Sequence, residues 1–73
     1  MNRKSKSQDS KLIKELKNKV VLVTGGSGSI GSAIVKKLLN YPVKAIRVFD
    51  IDEYRLFKLK RSTNDKRLRF LLG

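Results

Sequence analysis

The sequence predicts an α/β fold built on a parallel β-sheet, and three observations support this prediction. Val20–Val23 form an unbroken aliphatic run, which is typical of a parallel strand buried on both faces. A glycine-rich turn over residues 24–31 follows at once, and a helical pattern of apolar residues follows the turn. The order of strand, helix and strand then repeats to residue 72. Strands that alternate with helices in this way predict a parallel sheet with helical crossovers.

The N-terminal segment differs in composition from the rest of the chain. Residues 1–10 are rich in Lys and Ser and predict a disordered basic tail. Residues 11–19 predict a short amphipathic helix that ends near Asn18. Its apolar residues are Leu12, Ile13 and Leu16. We expect the folded domain to occupy residues 20–73 and to be a truncated part of a larger domain, because so short a sheet leaves much of its surface uncovered.

Two helices and two further strands are predicted after the first strand. The first helix should span Ser29–Asn40 and end before Pro42, with Ile30, Ile34 and Leu38 on its apolar stripe. A strand over Ala45–Asp50 and a helix over Glu53–Arg61 follow, the helix burying Leu56, Leu59 and Phe57. The last strand is Arg67–Leu72. This βαβαβ order corresponds to one mononucleotide-binding half of a Rossmann fold, with neighbouring strands adjacent in the sheet.

The glycine-rich turn has the spacing Thr24-Gly25-x-x-Gly28-x-x-Gly31. Gly25 or Gly26 would form the tight turn, Gly28 would let the backbone approach a pyrophosphate, and Gly31 would let the helix pack closely on the sheet. Phosphates would lie at the helix N-terminus, where Ser27 and Ser29 can add hydroxyl donors. A P-loop is the main alternative, but it requires Lys and then Ser or Thr where this chain has Ser32-Ala33.

Asp50 is the second candidate binding residue. It stands at the end of the predicted second strand, 19 residues after Gly31, close to the distance expected for a carboxylate that accepts hydrogen bonds from the adenosine ribose. Alternatively, Asp50 or Asp52 caps the following helix. Asp52, followed by Glu53, suits the capping role and leaves Asp50 for the ribose.

Composition narrows the possible chemistry. The 73 residues contain neither Cys nor His, which argues against a disulfide framework, a thiolate or imidazole metal site and a Ser-His-Asp hydrolase. We assign no catalytic and no metal-binding residues. The sequence shows neither a membrane span nor a signal peptide, so we expect a cytoplasmic location.

The charge balance leaves a second class of function open. Lys and Arg number 18 against 6 acidic residues, and seven of the basic residues precede Val20. A basic module that binds nucleic acid or anionic surfaces is therefore an alternative hypothesis. The tail lacks aromatic residues for base stacking, and we expect no specific nucleic-acid partner. The basic residues Arg55, Lys58, Lys60 and Arg61 are interpreted as a solvated helix face.

The sequence resembles the N-terminus of extended short-chain dehydrogenase/reductases, and most closely the CapD-like polysaccharide-biosynthesis group, which includes UDP-N-acetylglucosamine 4,6-dehydratases. The glycine motif is common to the whole superfamily. The segments Val48–Phe57 and Arg67–Gly73 narrow the resemblance to this group. The resemblance implies a nicotinamide cofactor and a UDP-sugar substrate for the full-length family. Dehydratase and epimerase chemistry both remain open.

Binding residues carry over from this family by position. Gly25, Gly28 and Gly31 correspond to its pyrophosphate turn, which begins at Thr24, and Asp50 corresponds to its ribose ligand. Its loop contacts correspond to Ser27, Ser29 and Ile30. The family's catalytic region does not correspond to any part of this chain, so we expect no activity from these residues alone.

Ile51 stands where relatives often carry an Arg suited to a 2′-phosphate. NAD and NADP both remain possible, with NAD favoured because Asp50 would repel that phosphate. Tyr54 and Lys58 have the Tyr-x-x-x-Lys spacing of catalytic pairs in this superfamily. We interpret the match as accidental, since their helix follows the strand that binds the adenosine half of the cofactor.

Overall fold

A computed structural model describes the backbone of residues 3–73 and the side chains of residues 10–73. The elements, in chain order, are α1 (Arg3–Leu16), β1 (Val20–Thr24), α2 (Ser29–Leu38), β2 (Ala45–Asp50), α3 (Glu53–Ser62) and β3 (Leu68–Leu72). The three strands form one parallel sheet in the order β1-β2-β3. The predicted α/β fold and the adjacency of its strands are confirmed.

Helix α1 begins earlier than the sequence analysis placed it. Residues 3–10, predicted to be a disordered tail, form its first turns, and the helix ends at Leu16 instead of residue 19. Residues 3–16 contain no Gly or Pro, and nine of these fourteen residues are Arg, Lys, Gln, Glu or Leu, which favour helices. The prediction of disorder, made from polarity alone, is therefore wrong for residues 3–10. Asn18 has the left-handed φ of 61° that often ends a helix, as expected. Residues 1 and 2 of the predicted tail lie outside the described residues.

The core lies between the sheet and helices α2 and α3. Along β2, Ile46 and Val48 are fully buried while Arg47 and Phe49 are exposed, so only one face of the strand is covered. The buried apolar side chains are Val23, Val35, Val43, Ile46, Val48, Leu56, Leu59 and Leu68. Burying each one contributes about 1.5–3 kcal/mol, which is offset by the entropy of ordering the chain.

The opposite face of the sheet is exposed among the described residues, which corrects the prediction that β1 is buried on both faces. Val20 and Leu22 are 50% and 59% exposed, and Leu71 of β3 is 42% exposed. The physical reason is topological. Both crossovers run in the same direction across the sheet. Because crossovers between parallel strands are right-handed, their helices α2 and α3 lie on the same face.

The orientation of α2 also differs from the prediction. Gly31 and Val35 are its buried residues and Leu38 packs against the core, whereas Ile30 is 78% and Ile34 is 47% exposed. The predicted apolar stripe is therefore confirmed at Leu38 and wrong at Ile30 and Ile34. Gly31 must face the glycine-rich turn, because a Cβ there would lie 2.2 Å from the Gly25 carbonyl oxygen. This contact turns the residue four positions later, Val35, into the core.

Arg67 links the start of β3 to the residues just after α2, at the end of the sheet opposite the glycine-rich turn. Its guanidinium donates to the carbonyl oxygens of Leu39 at 2.8 Å and Tyr41 at 2.7 Å, just beyond α2. The same guanidinium pairs with Asp65 at 3.0 Å and lowers the pKa of that carboxyl to about 2. Arg67 therefore donates to two carbonyls just beyond α2 and holds the start of β3 beside them.

We expect Arg67→Gln to lower the free energy of unfolding by about 1–3 kcal/mol, because the carbonyl acceptors and Asp65 lose a charged donor. Urea denaturation followed by circular dichroism measures this change. Arg69→Gln is the matched control, since the Arg69 side chain contacts only the adjacent Leu68 carbonyl among the hydrogen bonds of this region. Equal stability of the two variants would contradict the assigned role.

Candidate nucleotide-binding site

The carboxyl ends of the strands bring the glycine-rich turn and Asp50 to the same edge of the sheet. Thr24 ends β1 and is paired with Phe49, while Asp50 ends β2 and is paired with Leu72. Ligands of open parallel α/β sheets bind outside this edge. The turn begins with hydrogen bonds from the Gly25 and Gly26 N–H groups to the Phe49 carbonyl, at 2.7 and 3.4 Å.

The glycines of the turn have different physical requirements. Gly25 has a φ of +64°, which assigns the tight turn to Gly25. At Gly26 and Gly31 an added Cβ would lie 2.5 Å from Val48 Cγ1 and 2.2 Å from the Gly25 oxygen, so packing requires glycine at both positions.

Gly28 is different, because the fold itself leaves room for a side chain there. An added Cβ would be 3.5 Å from the Gly25 oxygen and 3.9 Å from Arg55 Nη1, both ordinary contacts, and the φ of −72° suits any residue. Neither packing nor backbone geometry therefore explains glycine at this position. The open space above Gly28 fits the close approach of a phosphate group.

The N-terminus of α2 presents free donors to that space. Gly28 is the N-cap residue and offers no side-chain acceptor, and the first turn contains no acidic residue. The amide N–H groups of the first turn lack intrahelical partners and form the positive end of the helix dipole. Ser29 and Ile30 open this turn with exposed side chains. The arrangement suits an anionic ligand.

Asp50 ties the end of β2 to the glycine-rich turn. Its Oδ2 accepts hydrogen bonds from the Ser27 N–H, at 3.1 Å, and from the Ser27 hydroxyl. Its Oδ1 accepts from the Asp52 N–H at 3.1 Å. The Ser27 hydroxyl, followed by the Asp52 N–H, lowers the pKa of the Asp50 carboxyl to about 2. The carboxylate is therefore ionised at neutral pH. Oδ2 already accepts two hydrogen bonds and Oδ1 accepts one, so a lone pair remains on Oδ1 for a further donor.

Asp52 caps α3, as the sequence indicated. Its carboxylate accepts from the Arg55 N–H at 3.0 Å and lies 3.5 Å from Arg55 Nε. Asp50 consequently has no capping duty. Ile51, between the two, is 81% exposed at the same edge of the sheet.

Sequence analysis missed two features of this edge. The Ser27–Asp50 hydrogen bonds join residues 23 positions apart, and only the sheet register reveals them. Arg55 was interpreted as solvated surface, although its place in the first turn of α3 could have marked it as close to this edge.

Tyr54 and Lys58 contact each other, with Lys58 Nζ 5.5 Å from the centre of the exposed Tyr54 ring.

Other types of site have no support in the described part of the chain. No group of three or more His, Cys, Asp or Glu side chains there could hold a metal ion. Within the same residues, no helix combines the length and hydropathy needed to cross a membrane.

Comparison with known proteins gives three relevant findings. Residues 21–72 match the family described as polysaccharide biosynthesis protein. The chain is 51% identical over 57 residues to an uncharacterized membrane protein of Methanocaldococcus jannaschii, covering 78% of this chain and 17% of that protein. It is 32% identical over 60 residues to UDP-glucose 4-epimerase of Rickettsia prowazekii, covering 77% of this chain and 18% of the epimerase.

A solved structure also resembles this fold. The X-ray structure of Pen from Bacillus thuringiensis superposes with a TM-score of 0.74 at 41% identity, over 80% of this chain and 18% of that one. The chain thus spans 17–18% of the length of these relatives.

We expect the Asp50 carboxyl to titrate with a pKa of about 2, against about 3.9 in the unfolded chain. Because the folded pKa is the lower one, its contribution to stability is present above pH 4 and is lost as the pH falls towards 2. The Asp50 13Cγ chemical shift measures this titration. Ser27→Ala should raise the pKa by removing the hydroxyl donor, whereas the control Ser29→Ala should leave it unchanged. An unchanged pKa in Ser27→Ala would contradict the assignment.

Proposed function

The chain belongs to the polysaccharide biosynthesis protein family, an extended short-chain dehydrogenase/reductase type, and on that basis we propose that residues 20–73 bind a nicotinamide dinucleotide. They would form the cofactor-binding portion of a sugar-nucleotide dehydratase or epimerase. The observation that supports this most is the juxtaposition of Asp50 with the open space at Gly28. A ribose acceptor and a phosphate cradle meet there at one edge of the sheet.

Each proposed contact follows from a group that the structure describes. The pyrophosphate would lie over Gly28 and accept from the free N–H groups of Ser29 and Ile30. Gly25 and Gly31 would shape the turn without touching the phosphates. No described carboxylate faces this space from the first turn of α2.

A hydroxyl of the adenosine ribose would donate to Asp50 Oδ1, which keeps a free lone pair. The carboxylate is held in place by Ser27 and by the Asp52 N–H, so it needs no rearrangement to accept this hydrogen bond. Thr24 is the last residue of β1 and Ile51 directly follows β2, and these two strands would flank the ribose. We propose them as contacts to its edges, Thr24 by its hydroxyl and Ile51 by its exposed side chain.

When bound, the dinucleotide would accept a hydride from a sugar carbon and later return it. The described residues bind and orient the cofactor and provide no acid–base pair for that step. Tyr54 and Lys58 contact each other on α3, and Tyr54 is 69% exposed. The UDP-sugar substrate is proposed from the family and from the similarity to UDP-glucose 4-epimerase.

We expect Gly28→Val to abolish binding of NAD and NADP, because its side chain would enter the volume of the phosphates. The free protein accommodates a Cβ there, so circular dichroism should report an unchanged fold. Isothermal titration calorimetry measures the affinity. Ala33→Val, which adds similar bulk at an exposed position of α2, is the control. Wild-type affinity in folded Gly28→Val would refute the pyrophosphate assignment.

Asp50→Ala should weaken binding of NAD about tenfold to a hundredfold, the range for a lost hydrogen bond to a charged group. The ribose is the moiety affected, so binding of inorganic pyrophosphate should change less than binding of the dinucleotide. The same calorimetric experiment measures both ligands. If pyrophosphate and dinucleotide affinities fell equally, Asp50 would act on the turn and not on the ribose.

A further inference from the structure

Helix α3 carries exposed aromatic side chains on the side that faces away from the core. Its buried residues are Leu56 and Leu59, which are 6% and 4% exposed. Tyr54 and Phe57, by contrast, are 69% and 55% exposed. Among the described residues, neither ring belongs to the core or to the apolar side chains packed against it. Packing within this structure therefore does not explain the aromatic residues at these positions.

Each exposed ring has a cation one helical turn later. Lys58 Nζ lies 5.5 Å from the centre of the Tyr54 ring, and the Arg61 guanidinium carbon lies 5.6 Å from the centre of the Phe57 ring. The last three of these residues follow Tyr54 by three, four and seven positions, so all four share one side of the helix. We call them the outer stripe of α3. The stripe combines two aromatic and two cationic side chains and contains no acidic residue.

A cavity of about 340 Å³ borders the cations of the outer stripe. It is lined by Lys58, Arg61 and Ser62. The Ser62 hydroxyl donates to the Leu59 carbonyl at 3.0 Å, so the two cations are the side-chain donors that the cavity offers to a ligand. A lysine and an arginine around one recess favour a phosphate group.

We propose that the outer stripe of α3 binds the surface of a membrane that contains anionic phospholipids. Tyr54 and Phe57 would enter the boundary between headgroups and acyl chains, and Lys58 and Arg61 would contact the lipid phosphates beside them. Apolar and cationic residues combined on one helix are typical of helices that lie in the membrane interface. The net charge of +12 on the whole chain adds attraction to an anionic surface.

The charges and the ring geometry disfavour two other occupants. A second copy of this chain would bring its own excess of cations to the stripe. A single-stranded nucleic acid would stack its bases on the ring faces, but a cation already covers one face of each ring. A lipid surface requires only that the ring edges enter it with cations nearby, which is the arrangement that the outer stripe presents.

Flotation of the 73-residue chain with vesicles tests the charge contribution at physiological ionic strength. We expect binding to vesicles of equal parts phosphatidylglycerol and phosphatidylcholine, and none to phosphatidylcholine alone. Lys58→Gln and Arg61→Gln should each weaken binding about fivefold, the contribution of one basic residue at an anionic surface. Lys11→Gln and Lys14→Gln, at exposed positions of α1, are the matched controls and should weaken it by about twofold or less. Equal losses from the two helices would mean attraction by overall charge and would overturn the proposal.

Tryptophan fluorescence identifies the surface that enters the lipid. The chain contains no Trp, so single substitutions place one probe on α3 (Tyr54→Trp), on α1 (Leu12→Trp) or on the exposed face of the sheet (Leu22→Trp). On the anionic vesicles we expect the emission of Tyr54→Trp to shift to shorter wavelength and to be quenched by brominated acyl chains. A response at Leu12 or Leu22 without one at position 54 would overturn the proposal.

Phe57→Ser separates a lipid surface from a nucleic-acid surface. It should weaken vesicle binding about tenfold by removing buried apolar area, whereas Leu22→Ser, which removes a similarly exposed side chain from the sheet, should not. Circular dichroism should show both variants folded, because both side chains are more than half exposed in the parent. Anisotropy of a labelled oligouridine should be the same for Phe57→Ser and the parent. Loss of oligouridine binding with vesicle binding intact would make the stripe a nucleic-acid surface and the proposal wrong.

This inference is separate from the proposed dinucleotide binding. None of the four residues of the outer stripe is among the proposed cofactor contacts, so each proposal has its own ligand and its own variants. Failure to bind the anionic vesicles would overturn the membrane proposal and leave calorimetric binding of NAD unaffected.

Discussion

Gly31 packs so closely on the glycine-rich turn that no side chain fits between them, and the arrangement of the molecule depends on this contact. A Cβ at Gly31 would lie 2.2 Å from the Gly25 oxygen and 2.6 Å from Gly26 Cα. The contact fixes the rotation of α2, so that Val35 enters the core and Ile30 and Ile34 point outward. It also aims the free N–H groups at the start of α2 into the space above Gly28.

Asp50 complements this contact from the neighbouring strand. Its carboxylate holds Ser27 through one oxygen and the Asp52 N–H through the other, so the turn and the start of α3 are positioned by a single side chain. A group that organises the protein in this way is already oriented when a ligand arrives. Such preorganisation reduces the entropy lost on binding. The structural role of Asp50 is therefore compatible with its proposed role in binding a ligand.

The two faces of the sheet have different environments in the described structure. One face carries α2, α3 and the core, whereas the other exposes apolar residues that include Leu22 and Phe49. The similarity to a solved structure and to an epimerase covers less than one fifth of either protein. The described elements nevertheless bring together the groups from which a dinucleotide site can be built, because the turn, α2 and Asp50 all lie within one βαβ unit.

Local sequence patterns were sufficient to determine the order of elements, the parallel sheet, the β2 boundaries and the cap at Asp52. These features depend on residues close together in the chain, where periodicity, glycine spacing and capping preferences act directly. The candidate binding residues were also identified from spacing, since the glycines and Asp50 stand at the ends of two recognisable strands.

Tertiary structure alone decided which face of α2 is buried, which face of β1 is covered, and what Arg67, Arg55 and Ser27 contact. Each of these outcomes depends on groups distant in sequence, such as the Gly25 carbonyl that orients Gly31 or the Leu39 carbonyl that accepts from Arg67. A sequence pattern gives the period of an amphipathic element, but its phase is set by steric contact with the neighbouring elements. The same reason explains why Arg55, which the sequence analysis interpreted as solvated surface, lies beside the glycine-rich turn.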